Sequence, residues 1–454
     1  MELLAAHLND ANIVVVGGDR ILYREPGFAL LEDHQLVAGT DAYHSARLKP
    51  RHIHNHFWSG LSTEPLADRR FQHLSAADLV SYQLEQMWNK VGGANKRLAI
   101  AVPAYMSTDN LGLLLGIAAE LDIPIVAMVD AAVAATRRQY EHAVPVHIDL
   151  SLHSALLTRL MQEEQVQVER TAVVEGCGLL ALYDNFLKIV AEAFVQQSRF
   201  DPLHTAETEQ LLQNNMPDWL VQAGTLSSVT VDMAYRGVTH SAEIDSLEFV
   251  AAAAPVYQSI VSNLRALYRA EERPAIQLSA RAASMTGLAD TLKARVGGEV
   301  FLLEPGATAR GLVNRCKVED KGGNVTLTRH LPLDQASVAV ATKSNGAGSG
   351  QPTHLLLGHN AFSLRGEPLI LGSQASESGR WLDLRDDMPG VSRRHCIVGA
   401  ENGQVVVTDH SRYGTFLNGH RIDGSAVLQV GDLLRIGTPG FEMRLIAAED
   451  HDGA

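Results

Sequence analysis

The chain has 454 residues, 46% hydrophobic and 20% charged, a composition that fits globular protein but is too long for one ordinary core. Its formal net charge of −14 argues against broad electrostatic binding to nucleic acid or to an anionic membrane surface. The three cysteines, Cys177, Cys316 and Cys396, are widely spaced and form no CxxC pattern, which argues against a disulfide framework or a metal knuckle and fits a reducing compartment.

The start, Met1-Glu2-Leu3-Leu4, lacks the basic region and long apolar segment of a signal peptide. The most apolar stretch, 111–135, is interrupted by Glu120, Asp122 and Asp130, so no membrane insertion is predicted and a cytoplasmic location is expected. The β-branched run at 13–16, then Gly17-Gly18-Asp19-Arg20, then 21–23, reads as a hairpin. Its glycine turn is either only a tight turn or a cradle of backbone N–H groups for phosphate. His52, His54 and His56 alternate, but no carboxylate or cysteine nearby completes a metal site, and a solvated loop is the expectation.

Further on, Ser75 is a fair N-cap for a helix at 76–91, followed by a buried strand at 98–102. A helix at 110–121, a strand at 123–129 and a helix at 131–139 complete a βαβα order, which predicts parallel strands covered by helices. A strand at 144–150 leads into Asp149-Leu150-Ser151-Leu152-His153-Ser154, with a hairpin partner at 155–160. Gly176-Cys177-Gly178 precedes a long helix at 179–197, and a helix at 246–270, a strand at 275–278 and a helix at 287–295 follow.

Over roughly residues 11–315 this series resembles the nucleotide-binding region of DnaK-type heat-shock chaperones, on the actin-like ATPase fold. The wording that carries the resemblance is Ala101-Val102-Pro103-Ala104-Tyr105-Met106, Asp130-Ala131-Ala132-Val133-Ala134-Ala135, Ile148-Asp149-Leu150 and Gly178 before its helix. The resemblance implies duplicated mixed sheets with helices, and, were a nucleotide retained, a site at Gly17, Gly18, Asp19, Asp149, Ser151 and Gly178. Yet the second phosphate loop, Ser151-Leu152-His153-Ser154, has none of the family's glycines, and Ser279-Ala280-Arg281-Ala282-Ala283-Ser284 replaces its glycine-bearing adenosine loop. Side chains there would crowd a polyphosphate, so the expectation is a pseudo-ATPase with no catalytic residue and no required cofactor or metal. Asp149 reads as a turn cap, a metal ligand being the alternative.

Residues 344–352, rich in Gly and Ser, read as a flexible linker. The expected division is a first domain at 1–334, a linker at 335–352, a second domain at 353–448 and a tail at 449–454. Short strands at 353–357, 360–364, 369–371, 405–407, 433–436 and 443–446 predict an all-β sandwich. It holds Gly390-Val391-Ser392-Arg393-Arg394-His395 and Tyr413-Gly414-Thr415-Phe416-Leu417-Asn418-Gly419, two turns whose hydroxyl and guanidinium groups suit a phosphate.

This wording closely resembles the forkhead-associated (FHA) domain, whose sandwich reads phosphothreonine peptides through its loops. The family's Gly-Arg is here Gly372-Ser373, and the Asn before its Gly-Thr is here Tyr413. The resemblance implies phosphopeptide contacts from Ser392, Arg393, Thr415, Asn418 and the Gly372 strand end, with His395 structural. Arg380 could supply the guanidinium from a shifted position, and Tyr413 could stack on the peptide or block it. Arg394 is expected to face solvent.

Two functions follow. In the first, a non-catalytic binding and scaffold protein docks its FHA module on a phosphothreonine-containing or phospho-independent protein partner. In the second, ATP with Mg²⁺ in the chaperone-like core controls what that module binds.

Overall fold

The computed structural model describes residues 2–446, apart from 19, 33–34, 270, 317–324, 341–350, 358–359, 375–378, 385–390, 402, 419 and 437–440. Asp19, Gly390, Gly419, most of the expected linker and the tail at 449–454 therefore lie outside the described residues. The chain divides into two units, Met1–Ala341 and Thr342–Ala454.

Within the first unit, two six-stranded sheets share one plan. In the first, Glu2–Asn9, Asn12–Gly17 and Arg20–Glu25 form an antiparallel meander. Lys96–Val102 and then Ile125–Asp130 add in parallel on the other side of Glu2–Asn9. The second sheet repeats this with the meander Val144–Leu150, Ser154–Gln162 and Gln165–Glu175, beside which Pro274–Leu278 and Glu299–Leu302 run parallel. The segment at 327–332 touches both sheets, through Leu327–Thr328 on the first and His330–Pro332 on the second. The central strands are buried almost throughout, which is why they read as continuous apolar runs rather than alternating ones.

Local chemistry sets the helices. Ser75 and Asp78 form a reciprocal capping box at the start of Ala76–Lys90, and Ser107 with Asn110 does the same for Thr108–Glu120. The helix expected at 131–139 is only Ala131–Ala135, because Thr136 turns to extended backbone and its hydroxyl is spent on Ala132 O and Gln277 Oε1. Elements that sequence reading passed over are the opening strand Glu2–Asn9, the helix Ala206–Ala223 and the hairpin of Ser228–Tyr235 with Val238–Asp245.

The first unit also runs past the expected boundary at 334. Arg137 binds Asp334 at 2.6 Å, Val338–Ala339 pairs with Tyr140–Glu141, and Val340 is buried beside Tyr140 and Ala275. These contacts make 335–340 part of that unit rather than linker.

The second unit is a two-sheet β structure. One sheet orders His354–Leu357 between Asn360–Ser363 and Phe441–Ile446, continuing through Leu433–Ile436 and Thr415–Leu417 to His420–Arg421. The other orders Arg380–Asp383, Leu369–Gly372, Cys396–Glu401, Gln404–Asp409 and Ser425–Val427. Alternate residues of both, including Leu355, Leu371, Val398, Val407, Leu434 and Leu445, fill one core between them.

Candidate functional site

In the second unit, His395 binds the two motif turns to each other. Its ring is buried, its Nδ1 accepts from the Ser392 amide at 3.0 Å, and its Nε2 lies 3.2 Å from Gly414 O. One acceptor and one donor are thus both satisfied by a neutral imidazole, and burial holds its pKa below the usual histidine value. The Arg412 amide donates to Ser392 Oγ at 3.1 Å, a second tie between the turns.

Gly372 allows this loop to approach its strand. A Cβ there would lie 2.0 Å from Arg393 O, where no side chain fits. Ser373 takes up the strand end instead of a guanidinium, with its amide on Ser392 O at 3.2 Å and its hydroxyl on Val391 O at 3.4 Å. Gly414 has φ +95, and a Cβ there would meet the Arg421 side chain.

Three expected contacts are engaged elsewhere. Thr415 is fully buried, and its hydroxyl donates to Asp409 Oδ1 at 2.8 Å, so it supports the turn from beneath. Although burial acts to raise Asp409, hydrogen bonds from Ser411 and Thr415 hold it below the usual carboxylate range. Asn418 uses its amide on Asp432 and Leu433, shaping the neighbouring turn.

Arg380 lies at the wrong end of its strand to reach the loop: it stands opposite Leu369, whereas Gly372 stands opposite Asp383. That is about 10 Å along the strand, and its guanidinium is spent on Ser363, Arg365 and Glu367 carbonyls.

What remains around Ser392 is exposed Arg393, Arg394 and Arg412, and Tyr413 at 55% exposure. None of these guanidinium groups forms an ion pair or side-chain hydrogen bond among the described residues. The sequence expectations for the second turn covered Tyr413, Thr415 and Asn418 and did not include Arg412; the signal for it was a cation directly before Tyr413.

In the first unit, the expected nucleotide residues separate. Asp149, Ser151 and Gly178 come together, but Gly17 pairs with Leu4 while Asn12 pairs with Asn9, so the glycine turn lies about 16 Å along the strands from the hairpin end that meets Asp149. That end is the Asn9-Asp10-Ala11-Asn12 turn. Asn9 Nδ2 donates to Asp149 Oδ2 at 2.9 Å, and Asp10 Oδ1 accepts from the Leu152 amide at 2.9 Å. Turn-forming Asn and Asp between strand residues were the sequence signal for it.

The Ser151–Ser154 turn closes on itself through Ser151 Oγ and Ser154 N at 2.9 Å. It also packs onto the start of the Leu179–Ser198 helix. The Leu179 and Leu180 amides, which at a helix N-terminus would be available to an anion, donate to Ser151 O and Leu152 O at 2.9 and 3.0 Å. A Cβ on Gly178 would sit 2.4 Å from Leu152 O, so the glycine serves this turn rather than a ligand.

A cavity of about 50 Å³ is lined among others by His7, Asn12, Ser279 and Arg281, all four on or next to the elements that meet at Asp149. Small-molecule pockets usually run to about 300–1,000 Å³. The three histidines at 52–56 are also dispersed: His52 Nδ1 lies on Leu31 O at 2.8 Å, and His56 stacks on His153 at 3.5 Å. Among the described residues no His, Cys, Asp and Glu group could hold a metal ion.

Residues 370–437 match the family model of the FHA domain. The second unit thus carries an FHA domain, a β sandwich that indicates a protein partner. No curated protein matches the chain. Among the described residues no helix is long and apolar enough to cross a membrane.

Proposed function

We propose that the chain is a non-catalytic interaction protein whose FHA domain docks on a phosphothreonine-containing protein, with the first unit acting as a platform. The observation that carries this reading is the His395 bridge, which holds the Ser392 turn against the Gly414 turn beside arginines that have no partner among the described residues. Ser392 Oγ accepts one bond from Arg412 and keeps its own proton, and that O–H has no acceptor among the described residues. A hydroxyl donor among guanidinium groups suits a phosphate dianion.

The first unit is, in this reading, an actin-like ATPase fold without hydrolysis. Support for the fold is the repeated strand order of its two sheets; support for the loss of nucleotide is the self-closed Ser151–Ser154 turn and the use of the Leu179 and Leu180 amides on it.

The test is binding to a phosphothreonine peptide library, each peptide compared with its unphosphorylated twin, for the native chain and Ser392→Ala. Preference for phosphorylated peptides that weakens in Ser392→Ala is expected. If the native chain prefers none of them, phosphate recognition is wrong.

A further inference from the structure

A phosphate dianion at Ser392 needs a guanidinium close to that hydroxyl, and the strand end beside it offers none. Ser373 is there instead, bonded to Val391 O and Ser392 O, while Arg380 is turned to carbonyls at the far end of its strand. We propose that Arg412, from the opposite turn, supplies the phosphate-binding guanidinium; the assignment rests on the phosphothreonine reading above.

Three observations converge on it. Arg412 donates its own amide to Ser392 Oγ at 3.1 Å, so its side chain starts within one hydrogen bond of the hydroxyl. That side chain is exposed, and among the described residues its guanidinium has no partner. The acid of the same loop, Asp409, is taken up by Ser411 and Thr415 rather than by Arg412.

Against 52 acidic and 38 basic residues in the whole chain, an uncompensated arginine here is a local reversal of charge. A guanidinium gives two parallel N–H donors to phosphate oxygens, while Ser392 adds its O–H from the facing turn. Anion recognition is thereby shared across the two loops that His395 ties together, and the charge comes from the second loop.

The experiment measures affinity for the best phosphothreonine peptide of the library and its unphosphorylated twin, using the full chain and the Arg412→Ala, Arg412→Lys, Arg393→Ala and Arg380→Ala variants. Arg412→Ala should weaken the phosphopeptide by about tenfold or more and leave the twin unchanged, with partial recovery in Arg412→Lys. Arg380→Ala should bind as the native chain does. In parallel, the Arg412 Nε–H resonance should move on addition of O-phosphothreonine, a response that a merely structural role would not give.

If the native chain prefers the phosphopeptide and Arg412→Ala retains that preference in full, this assignment falls and the phosphothreonine reading stands. A larger loss in Arg393→Ala or Arg380→Ala than in Arg412→Ala overturns it as well. A native chain with no phosphate preference overturns both.

Discussion

Arg281 Nε donates to Asp149 Oδ1 at 2.9 Å in the interior of the first unit, and the same guanidinium reaches Asn12 O at 3.3 Å. Asp149 belongs to the second sheet and Asn12 to the first, so one side chain joins both. Burial works against the Asp149 charge, but Arg281, His7 and His147 hold its carboxyl well below the usual range. The ion pair is therefore intact at any ordinary pH. Ser279, Asn9 and the Leu150 amide also donate to the carboxylate.

Removing one partner of such a pair strands a buried charge. Arg281→Ala should lower the unfolding free energy of the first unit by about 3–5 kcal/mol. Urea denaturation followed by tryptophan fluorescence measures it; Asp149→Asn combined with Arg281→Ala should cost less than the two single losses added together, since the pair is one interaction.

Mg-ATP should not raise the melting temperature of the native chain. A ligand that binds only the folded state stabilises it by mass action, and the Ser151–Ser154 turn that would have to cradle the phosphates is closed on itself. A rise of several degrees at millimolar Mg-ATP would revive the nucleotide-switch reading.

Asp10 gives a pH signature. Burial pushes its pKa up from 3.8 to about 7, and Oδ2 has no hydrogen-bond partner among the described residues. The folded state thus keeps a proton that the unfolded chain releases, so this group's contribution is full below 3.8 and is lost as pH rises towards about 7. His7 and His147, pushed down by burial to about 3 and about 4, act in the opposite sense: their contribution is lost as pH falls from 6.5 towards those values. Asp10→Asn isolates the first effect. It should match the native chain at pH 4 and exceed it at pH 8 by a few kcal/mol, at about 1.4 kcal/mol per pKa unit. Equal stability differences at both pH values would contradict the assignment.

Gly372→Ala should disrupt the second unit. Its Cβ would lie 2.0 Å from Arg393 O, so the Ser392 loop must move off its strand. Denaturation of this unit should show a loss of about 2 kcal/mol or more, in the range of strained or overpacked sites, and phosphopeptide binding should fall with it. His395→Ala is the milder counterpart: it removes the imidazole bridge from the Ser392 amide to Gly414 O but leaves the Arg412–Ser392 bond, so phosphopeptide binding should weaken while the unit stays folded.

Much of the architecture was legible in local chemistry. Ser75 and Asp78 mark a helix start in any context, the apolar run at 13–16 can only be a buried strand or helix, and the Ser392 and Gly414 motifs announce their sandwich because turn residues act over a few positions. The opening strand Glu2–Asn9 was not legible: its sequence ELLAAHLN has little β preference, and pairing with neighbours on both sides decides its conformation.

Sequence by itself determined the Ser75 helix start, the strand runs and the residue types of the Ser392 loop, all of which depend on neighbours in the chain. Tertiary structure alone decided which groups meet. It placed Arg380 at the far end of its strand, Thr415 beneath the turn, Gly17 far from Asp149, and Arg412 one hydrogen bond from Ser392. Strand register and loop closure set those distances, and both arise from pairing between segments remote in sequence, where one residue of slip changes every partner.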